Sequence, residues 1–184
     1  LVLPLWSGQA LHDYPMVYNA TAPNTVLYEA AVKKLLNNPE NKNFIIVNCN
    51  SSDNRGKTFS HALTQELNQR SMHSKSLLLE DNDAAYENVL DPTQENFILL
   101  DDSSVRSLSI MMARIKDFRQ KHPTYNLSLI GYTEWLNETE RHLDNFFVAN
   151  TYIASPYYYN VLDEKNQDFQ RAYEKNFQVY MTPG

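Results

Sequence analysis

Four short and mainly apolar runs, separated by stretches with helical periodicity, constrain the fold of this chain more than any other feature of its sequence. The runs occupy residues 44–47, 77–79, 97–100 and 127–130. Runs of this kind are typical of strands that are buried on both faces of a sheet. Between the first two runs, Phe59, Leu63 and Leu67 recur at four-residue spacing and predict an amphipathic helix over 56–70. Because strands that alternate with helices form parallel βαβ units, the sequence predicts a three-layer α/β/α fold with a mainly parallel sheet.

The remaining segments extend this plan to both ends of the chain. The predicted elements are short strands at 2–5, 16–19 and 151–154, and helices at 24–36, 103–118, 134–137 and 140–147, with a further helix from Asp163 and a polar loop at 80–94. The expected caps are Asn24 or Thr25 for the first helix and Ser103 or Ser104 for the long one. We predict a single lobe over 1–184: strands that enter it in 1–20, a βα core in 24–149, and a return strand with a terminal helix in 150–184. Because the chain begins with Leu1 rather than Met, the lobe is interpreted as cut from a longer protein.

Charge and composition argue against several classes of function. The chain has 16 basic and 22 acidic side chains, a formal net charge of −6 and no cluster of Lys and Arg, so nucleic-acid binding is not expected. No apolar run approaches the ~20 residues of a membrane-spanning helix, and no membrane insertion is predicted for this segment. The single cysteine, Cys49, excludes an internal disulfide, and the five histidines lack metal-binding spacing. No metal and no cofactor is predicted.

Residues 51–58 read S-S-D-N-R-G-K-T between a predicted strand and a predicted helix, and they resemble a phosphate-binding loop, G-x-x-x-x-G-K-[ST]. The first glycine of that motif is missing. Ser51 takes its place, and acidic Asp53 lies where backbone N–H groups would surround a phosphate. The chain has only 4 glycines, against about 13 at ordinary usage. The sequence therefore favours a polar loop with Arg55 and Lys57 in solvent over a nucleotide site.

Two acidic residues, Asp101 and Asp102, follow the third apolar run directly. Paired carboxylates at a strand end suit magnesium, but acidic and serine side chains are also what a helix N-terminus prefers. Capping is the favoured interpretation. The enzyme alternative is a degenerate nucleotide-binding hydrolase that uses Lys57, Thr58 and Asp101.

Four segments, taken in chain order, carry a resemblance to a known family. They are L-P-L-W-S at 3–7, M-V-Y-N-A-T-A-P-N at 16–24, the strand, polar loop and helix of 44–67, and 150–159 followed by Phe169, Tyr173 and Phe177. In this order they resemble the second, C-terminal lobe of the type I periplasmic-binding-protein-like receptors. A looser resemblance is to envelope proteins that combine this fold with a peptidoglycan-binding LysM domain.

The resemblance implies a ligand-binding or interaction domain that is not an enzyme, located in the periplasm or cell envelope. In that family two lobes close on a ligand by a hinge, so the implied partners are a small polar molecule such as an amino acid and the missing first lobe of the same chain. Carried over by position, the residues that line this lobe's half of the cleft are Ser7, Tyr18, Asn19, Asn50, Ser51, Asp101, Tyr132 and Glu134. Asp101 and Glu134 are expected to hold the ammonium group of the ligand. A pure interaction scaffold that uses the tyrosines at 157–159 is the other alternative, and a homo-oligomer is left open.

Overall fold

The computed structural model describes residues 2–3, 18–19, 23–138, 149–156, 167–168, 171–172 and 175–176. The strands are β1 (Val2–Leu3), β2 (Tyr18–Asn19), β3 (Lys42–Asn48), β4 (Lys75–Leu78), β5 (Glu95–Leu100), β6 (Asn126–Tyr132) and β7 (Asn150–Ala154). The helices are α1 (Asn24–Leu35), α2 (Asn54–Gln69), α3 (Asp83–Val89) and α4 (Val105–Lys121), with 3₁₀ turns at Pro39–Asn41 and Thr133–Glu138. All the strand runs predicted within the described residues are confirmed.

Five strands form one parallel sheet in the order β4-β3-β5-β6-β7, while β1 and β2 pair with each other. From β3 the chain moves outward to β4, and it then returns past β3 to β5 and continues to β7. Because crossovers between parallel strands are right-handed, this reversal puts α2 on one face of the sheet and α3 and α4 on the other. Helix α1 packs against α2. The predicted three-layer α/β architecture is confirmed.

The core is most completely buried at the central strand β5, where residues 97–100 are at most 2% exposed. On the α1/α2 face, the rings of Tyr28 and Phe59 stack with centroids 4.4 Å apart, and both meet Tyr132 edge-on. Aromatic pairs of this geometry add about 0.5–1.5 kcal/mol each beyond the burial of their area. This aromatic cluster fixes α1 and α2 against the carboxyl half of β6.

The predicted N-cap is right for α4 and wrong for α1. Ser104 caps α4 by accepting a hydrogen bond from the Ser107 N–H at 3.3 Å. Helix α1, in contrast, has Pro23 at its N-cap position and no side-chain cap, and Asn24 and Thr25 are already inside the helix.

Helix α3 lies inside the segment predicted as a polar loop, and the loop prediction is wrong there. Asn82 caps the helix by accepting from the Ala85 N–H at 3.0 Å, and Tyr86 is its one buried side chain. Seven residues give too few apolar positions for helical periodicity to stand out in a sequence.

Left-handed backbone is taken here by residues other than glycine: Asn38, Asn50 and Ser71 have φ of 57°, 50° and 57°. At Ser71 the reason is the end of α2. The Ser71 N–H donates to Asn68 O at 3.1 Å and the Met72 N–H donates to Leu67 O at 2.9 Å, which is the Schellman arrangement usually closed by glycine. A chain with few glycines therefore still builds tight turns, at a steric cost of roughly 1 kcal/mol per position.

The chain divides into two compact units, Leu1–Ala154 and Ser155–Gly184. The sequence groups residues 150–184 as one segment, but the division falls inside it, because β7 belongs to the sheet of the first unit. The boundaries predicted for the single lobe stay a prediction. In the second unit, residues 167–168, 171–172 and 175–176 are helical, while Asp163, Phe169, Tyr173 and Phe177 lie outside the described residues, as do 140–147 and the tyrosines at 157–159. Over the described part of the chain, every helix is too short or too polar to cross a membrane.

Candidate functional site

The candidate site lies at the carboxyl edge of the parallel sheet, where ligands bind in open α/β sheets. Three polar segments meet there. The segment 49–53 follows β3, the segment 101–104 follows β5, and the 3₁₀ turn Thr133–Glu138 follows β6. Since β3, β5 and β6 are neighbours in the sheet, their ends lie side by side.

Asp53 joins the first two of these segments. Its carboxylate accepts from the Arg55 N–H at 3.1 Å and the Gly56 N–H at 3.3 Å, which caps α2. The same carboxylate accepts from the Ser103 N–H on the neighbouring segment at 2.7 Å. One side chain thus caps a helix and holds the adjacent loop in place.

The two consecutive aspartates also fix loops, Asp101 by a bond to the segment after β3 and Asp102 by bonds within its own segment. Asp101 Oδ1 accepts from the Cys49 N–H at 2.7 Å. Asp102 Oδ2 accepts from the hydroxyls of Ser104 and Ser107, each at 2.6 Å. Both aspartates are buried, at 8% and 7% exposure. Ser104, whose hydroxyl donates to Asp102, caps α4, which agrees with the favoured capping interpretation rather than with an open metal pair.

Gly56 lies where α2 touches the end of β5. A Cβ atom at this position would be 2.0 Å from Asp101 O and 2.4 Å from Asp102 N, closer than real Cβ contacts allow. The glycine of the G-K-T segment is therefore required by the close approach of a helix to a strand end.

These contacts argue against a phosphate-binding loop. The N–H groups of Arg55 and Gly56, which a phosphate would need, already donate to the Asp53 carboxylate. Arg55 is exposed, as expected, and it also forms an ion pair with Glu134. Lys57 is exposed on the face of α2 that also carries His61 and Gln65, one and two turns further along the helix.

The third segment is held by Trp135. This side chain is fully buried, its indole N–H donates to Ser103 O at 2.9 Å, and its ring meets that of Tyr132 edge-on at 5.3 Å. Gly131 has no side chain, and this makes room for the indole ring: a Cβ atom at position 131 would be 2.3 Å from Trp135 Cε3. The three segments are thus connected by Asp53, by Trp135 and by the Arg55–Glu134 pair.

Burial and hydrogen bonding shift the pKa values of several of these groups. Burial raises the pKa of the Asp53 and Asp102 carboxyls, but the hydrogen bonds they accept, chiefly from Ser103 and from Ser104 and Ser107, outweigh burial and leave both pKa values below the ordinary range. Burial raises the pKa of the Cys49 thiol to about 12. At neutral pH Cys49 is a thiol rather than a thiolate, and the thiol is a poor nucleophile.

We expect Asp53→Asn to lower stability by about 1 kcal/mol near neutral pH, the ordinary cost of weakening a helix cap. A carboxyl whose pKa is lowered by folding stabilises the protein above its unfolded value, about 3.9, and loses this contribution as pH falls through the folded-state pKa. The difference in unfolding free energy between wild type and Asp53→Asn should therefore shrink as the pH falls below the unfolded-state pKa of about 3.9. Urea unfolding at a series of pH values measures it.

The control for this experiment is Glu40→Gln, which removes an exposed carboxylate from the 3₁₀ turn before β3, at the opposite edge of the sheet. It should unfold like the wild type at every pH. Parallel stability curves for wild type and Asp53→Asn across the whole range would contradict the role given to Asp53.

The structure brings four of the eight sequence-predicted site residues together at this edge. Asn50 and Ser51 lie after β3, Asp101 lies after β5, and Glu134 lies in the turn after β6. Tyr132 lies instead in the core, with no exposed surface, and its hydroxyl donates to Leu100 O. A ligand at the edge does not reach it, because it points to the face covered by α1 and α2. Ser7 lies outside the described residues, and Tyr18 and Asn19 are described only as the backbone of β2.

The sequence-based list missed the residues that organise the site: Asp53, Arg55, Ser103 and Trp135. Asp53 carried a usable signal, since an aspartate three residues before a glycine at the start of a helical pattern is a good N-cap. The roles of the other three depend on neighbouring strands and leave no local signal. Among the described residues, no group of three or more His, Cys, Asp or Glu is arranged to hold a metal ion.

No protein-family model and no curated protein matches the sequence. Among solved structures, an ABC transporter substrate-binding protein from Desulfitobacterium hafniense, in complex with Leu, is similar, with a TM-score of 0.64 and 14% identity over 98% of this chain and 51% of that chain. A branched-chain amino acid ABC transporter periplasmic ligand-binding protein from Burkholderia xenovorans has a TM-score of 0.58 and 14% identity, over 88% of this chain and 42% of that one. A periplasmic sugar-binding protein from Legionella pneumophila has a TM-score of 0.51 and 9% identity, over 98% and 66%.

These neighbours are type I periplasmic binding proteins, and the α/β fold of this chain matches one lobe of such a protein. The chain spans about half the length of the first two structures. At 9–14% identity the likeness shows the fold alone. The neighbours are substrate-binding proteins and not enzymes.

Proposed function

We propose that this chain is one lobe of a non-enzymatic binding protein of the cell envelope, and that its carboxyl sheet edge forms half of a cleft for a small polar ligand. The observation that carries the proposal is the connected edge itself. Asp53, Asp101 and Asp102 are used to fix the loops, while Asn50, Ser52 and Glu134 remain accessible on them. An edge built in this way presents polar groups in fixed positions, which a binding site requires.

The proposal includes a second lobe that supplies the other half of the cleft. Its support is the match of this fold to about half of a leucine-bound substrate-binding protein. Ligand in such an arrangement is enclosed from both sides, so the isolated lobe should bind weakly and the two-lobed protein more tightly. Location in the periplasm, and association with a LysM domain, are parts of the same proposal.

The test uses the full-length parent protein and isothermal titration calorimetry with a panel of small polar ligands: amino acids, monosaccharides and inorganic phosphate. We expect one class to bind. Ser52→Trp, which places a large ring on the exposed edge, should weaken binding by about tenfold or more by blocking closure.

The matched control is Thr124→Trp, which adds the same ring at an exposed position between α4 and β6, on the amino edge of the sheet. It should leave affinity within about twofold of wild type. Flat titrations with every ligand would contradict the proposed function, and equal effects of the two tryptophans would contradict the location of the site.

A further inference from the structure

We infer that the short helix α3 belongs to a flap that opens from the sheet as one unit, while the strands beneath it stay folded. The flap consists of Asn82, which caps α3, and the helical residues 83–88, and it is called the α3 flap below. It lies on the α4 face of the sheet, away from the proposed binding site, and its opening is independent of the proposed function. Its shallow packing, its exposed contacts to α4 and its anchored ends carry the proposal.

The α3 flap contributes little to the core. Tyr86 is its one buried side chain, Ala85 is partly buried, and its other residues are exposed. In helix α2, by comparison, Phe59, Leu63 and Leu67 are all fully buried. A helix of seven residues is also too short to persist in water by itself. When the Tyr86 ring leaves the core, the hydrogen bonds of α3 are therefore lost together.

Two exposed side-chain contacts hold the α3 flap against the end of α4. Asp83 forms an ion pair with Lys121, and these side chains are 52% and 58% exposed. The Glu87 carboxylate and the His122 ring form the second contact, with Oε1 and Nε2 3.0 Å apart. Contacts between exposed charges are weak, and salt screens them further. The closed position of the flap is therefore expected to depend on ionic strength.

The packing beneath the Tyr86 ring is incomplete. The Arg114 guanidinium lies against the ring, with Cζ 4.8 Å from the centroid, and it donates to Asp81 O. Its Nε is buried and has no hydrogen-bond partner among the described residues. A cavity of about 10 Å³ remains here, lined also by Ile98 and Ile115. Because an unpaired buried N–H group is unfavourable, hydration of Nε on opening offsets part of the cost of exposing the ring.

Both ends of the α3 flap are anchored, which confines the movement to it. Before the flap, the Asp81 N–H donates to Leu78 O at 3.1 Å, and the Asp81 carboxylate accepts from the Leu78 N–H at 2.7 Å. After the flap, Val89 O accepts from the side-chain amide of Asn43 at 3.0 Å, and Asn43 is only 6% exposed. Residues 82–88 can therefore leave the sheet while β3, β4 and β5 stay paired.

The test is native-state hydrogen exchange of the full-length protein, read at the amides of residues 86–90, which close the turns of α3. We expect their protection to be at least about a hundredfold lower than that of α2 and β5, because they open without global unfolding. It should change little with low concentrations of urea, since opening exposes little surface, and it should fall about threefold from low to high salt. Protection of α3 equal to that of α2 and β5 overturns the inference.

A pair of lysine variants tests the contact that holds the α3 flap. Lys121→Gln removes the ion pair with Asp83 and should lower the protection of α3 about threefold, while α2 keeps its protection. The matched control is Lys116→Gln, which removes the same charge at another exposed position of α4 and should leave α3 within about 1.5-fold of wild type. Equal protection of α3 in the two variants overturns the inference. Neither lysine lies at the carboxyl sheet edge, so this failure leaves the proposed function intact.

Discussion

Gly56→Ala is expected to destabilise the protein by about 3 kcal/mol, the upper part of the range for overpacking a close-packed contact. The added methyl group would lie 2.0 Å from Asp101 O and 2.1 Å from the Asp101 carbonyl carbon. Both are backbone atoms at the end of the central strand, so no side-chain rotation relieves the clash and α2 must move away from β5. That movement separates Asp53 from the Ser103 N–H and loosens the proposed site together with the core.

The measurement is equilibrium unfolding in urea, with Lys57→Ala as the control on the next residue of the same helix. In an exposed helix position alanine is favoured by helix propensity, so Lys57→Ala should change stability by less than about 0.5 kcal/mol. If Gly56→Ala were as stable as the wild type, the packing of α2 on the end of β5 would be contradicted.

Trp135→Ala is expected to cost about 4 kcal/mol, as truncation of a buried tryptophan does elsewhere. The side chain has no exposed surface, and its removal would leave a cavity lined by Gly131 and by the ring of Tyr132. It also leaves Ser103 O without the indole N–H that now donates to it at 2.9 Å. The loss should extend to ligand binding, because Glu134 is the preceding residue and depends on this anchor for its position.

Two controls separate packing from hydrogen bonding at this position. Trp135→Phe keeps an aromatic ring over Gly131 and loses the indole N–H, so we expect a smaller cost of about 1–2 kcal/mol. Leu136→Ala removes a side chain that is 41% exposed and should cost less than about 1 kcal/mol. Thermal and urea unfolding of the three variants give the order, and a Trp135→Ala cost no larger than that of Leu136→Ala would show that the indole does not anchor the turn.

The difference between Tyr132 and Glu134 shows where prediction of the site from the sequence ends. Both follow the same predicted strand, and both were assigned to the cleft. Tyr132 is the last residue of β6, and its ring enters the aromatic cluster with Tyr28 and Phe59, whereas Glu134 lies in the turn and pairs with Arg55. Which face of a strand end is covered depends on the path of α1, a helix about one hundred residues earlier in the chain.

A similar limit applies to the segment S-S-D-N-R-G-K-T. Its composition suggested a damaged phosphate loop, and the missing glycine at Ser51 already argued against it. The reason that Gly56 is present is not local, because the atoms that exclude a Cβ there belong to Asp101 and Asp102. The same is true of Asp53, whose third hydrogen bond comes from Ser103, fifty positions away.

The alternation of strands and helices, the parallel sheet and the α/β class could all be predicted from the sequence, because buried strands and amphipathic helices impose their apolar periods on contiguous residues. The sequence also located the polar segments at the strand ends, since these directly follow the apolar runs. The contacts between those segments became known from the folded structure alone: Asp53 with Ser103, Arg55 with Glu134, and Trp135 with Gly131. These pairs form between strands that are neighbours in space and distant in the chain. No local pattern records such contacts, so the chemistry that the edge offers to a ligand emerges only when the sheet is assembled.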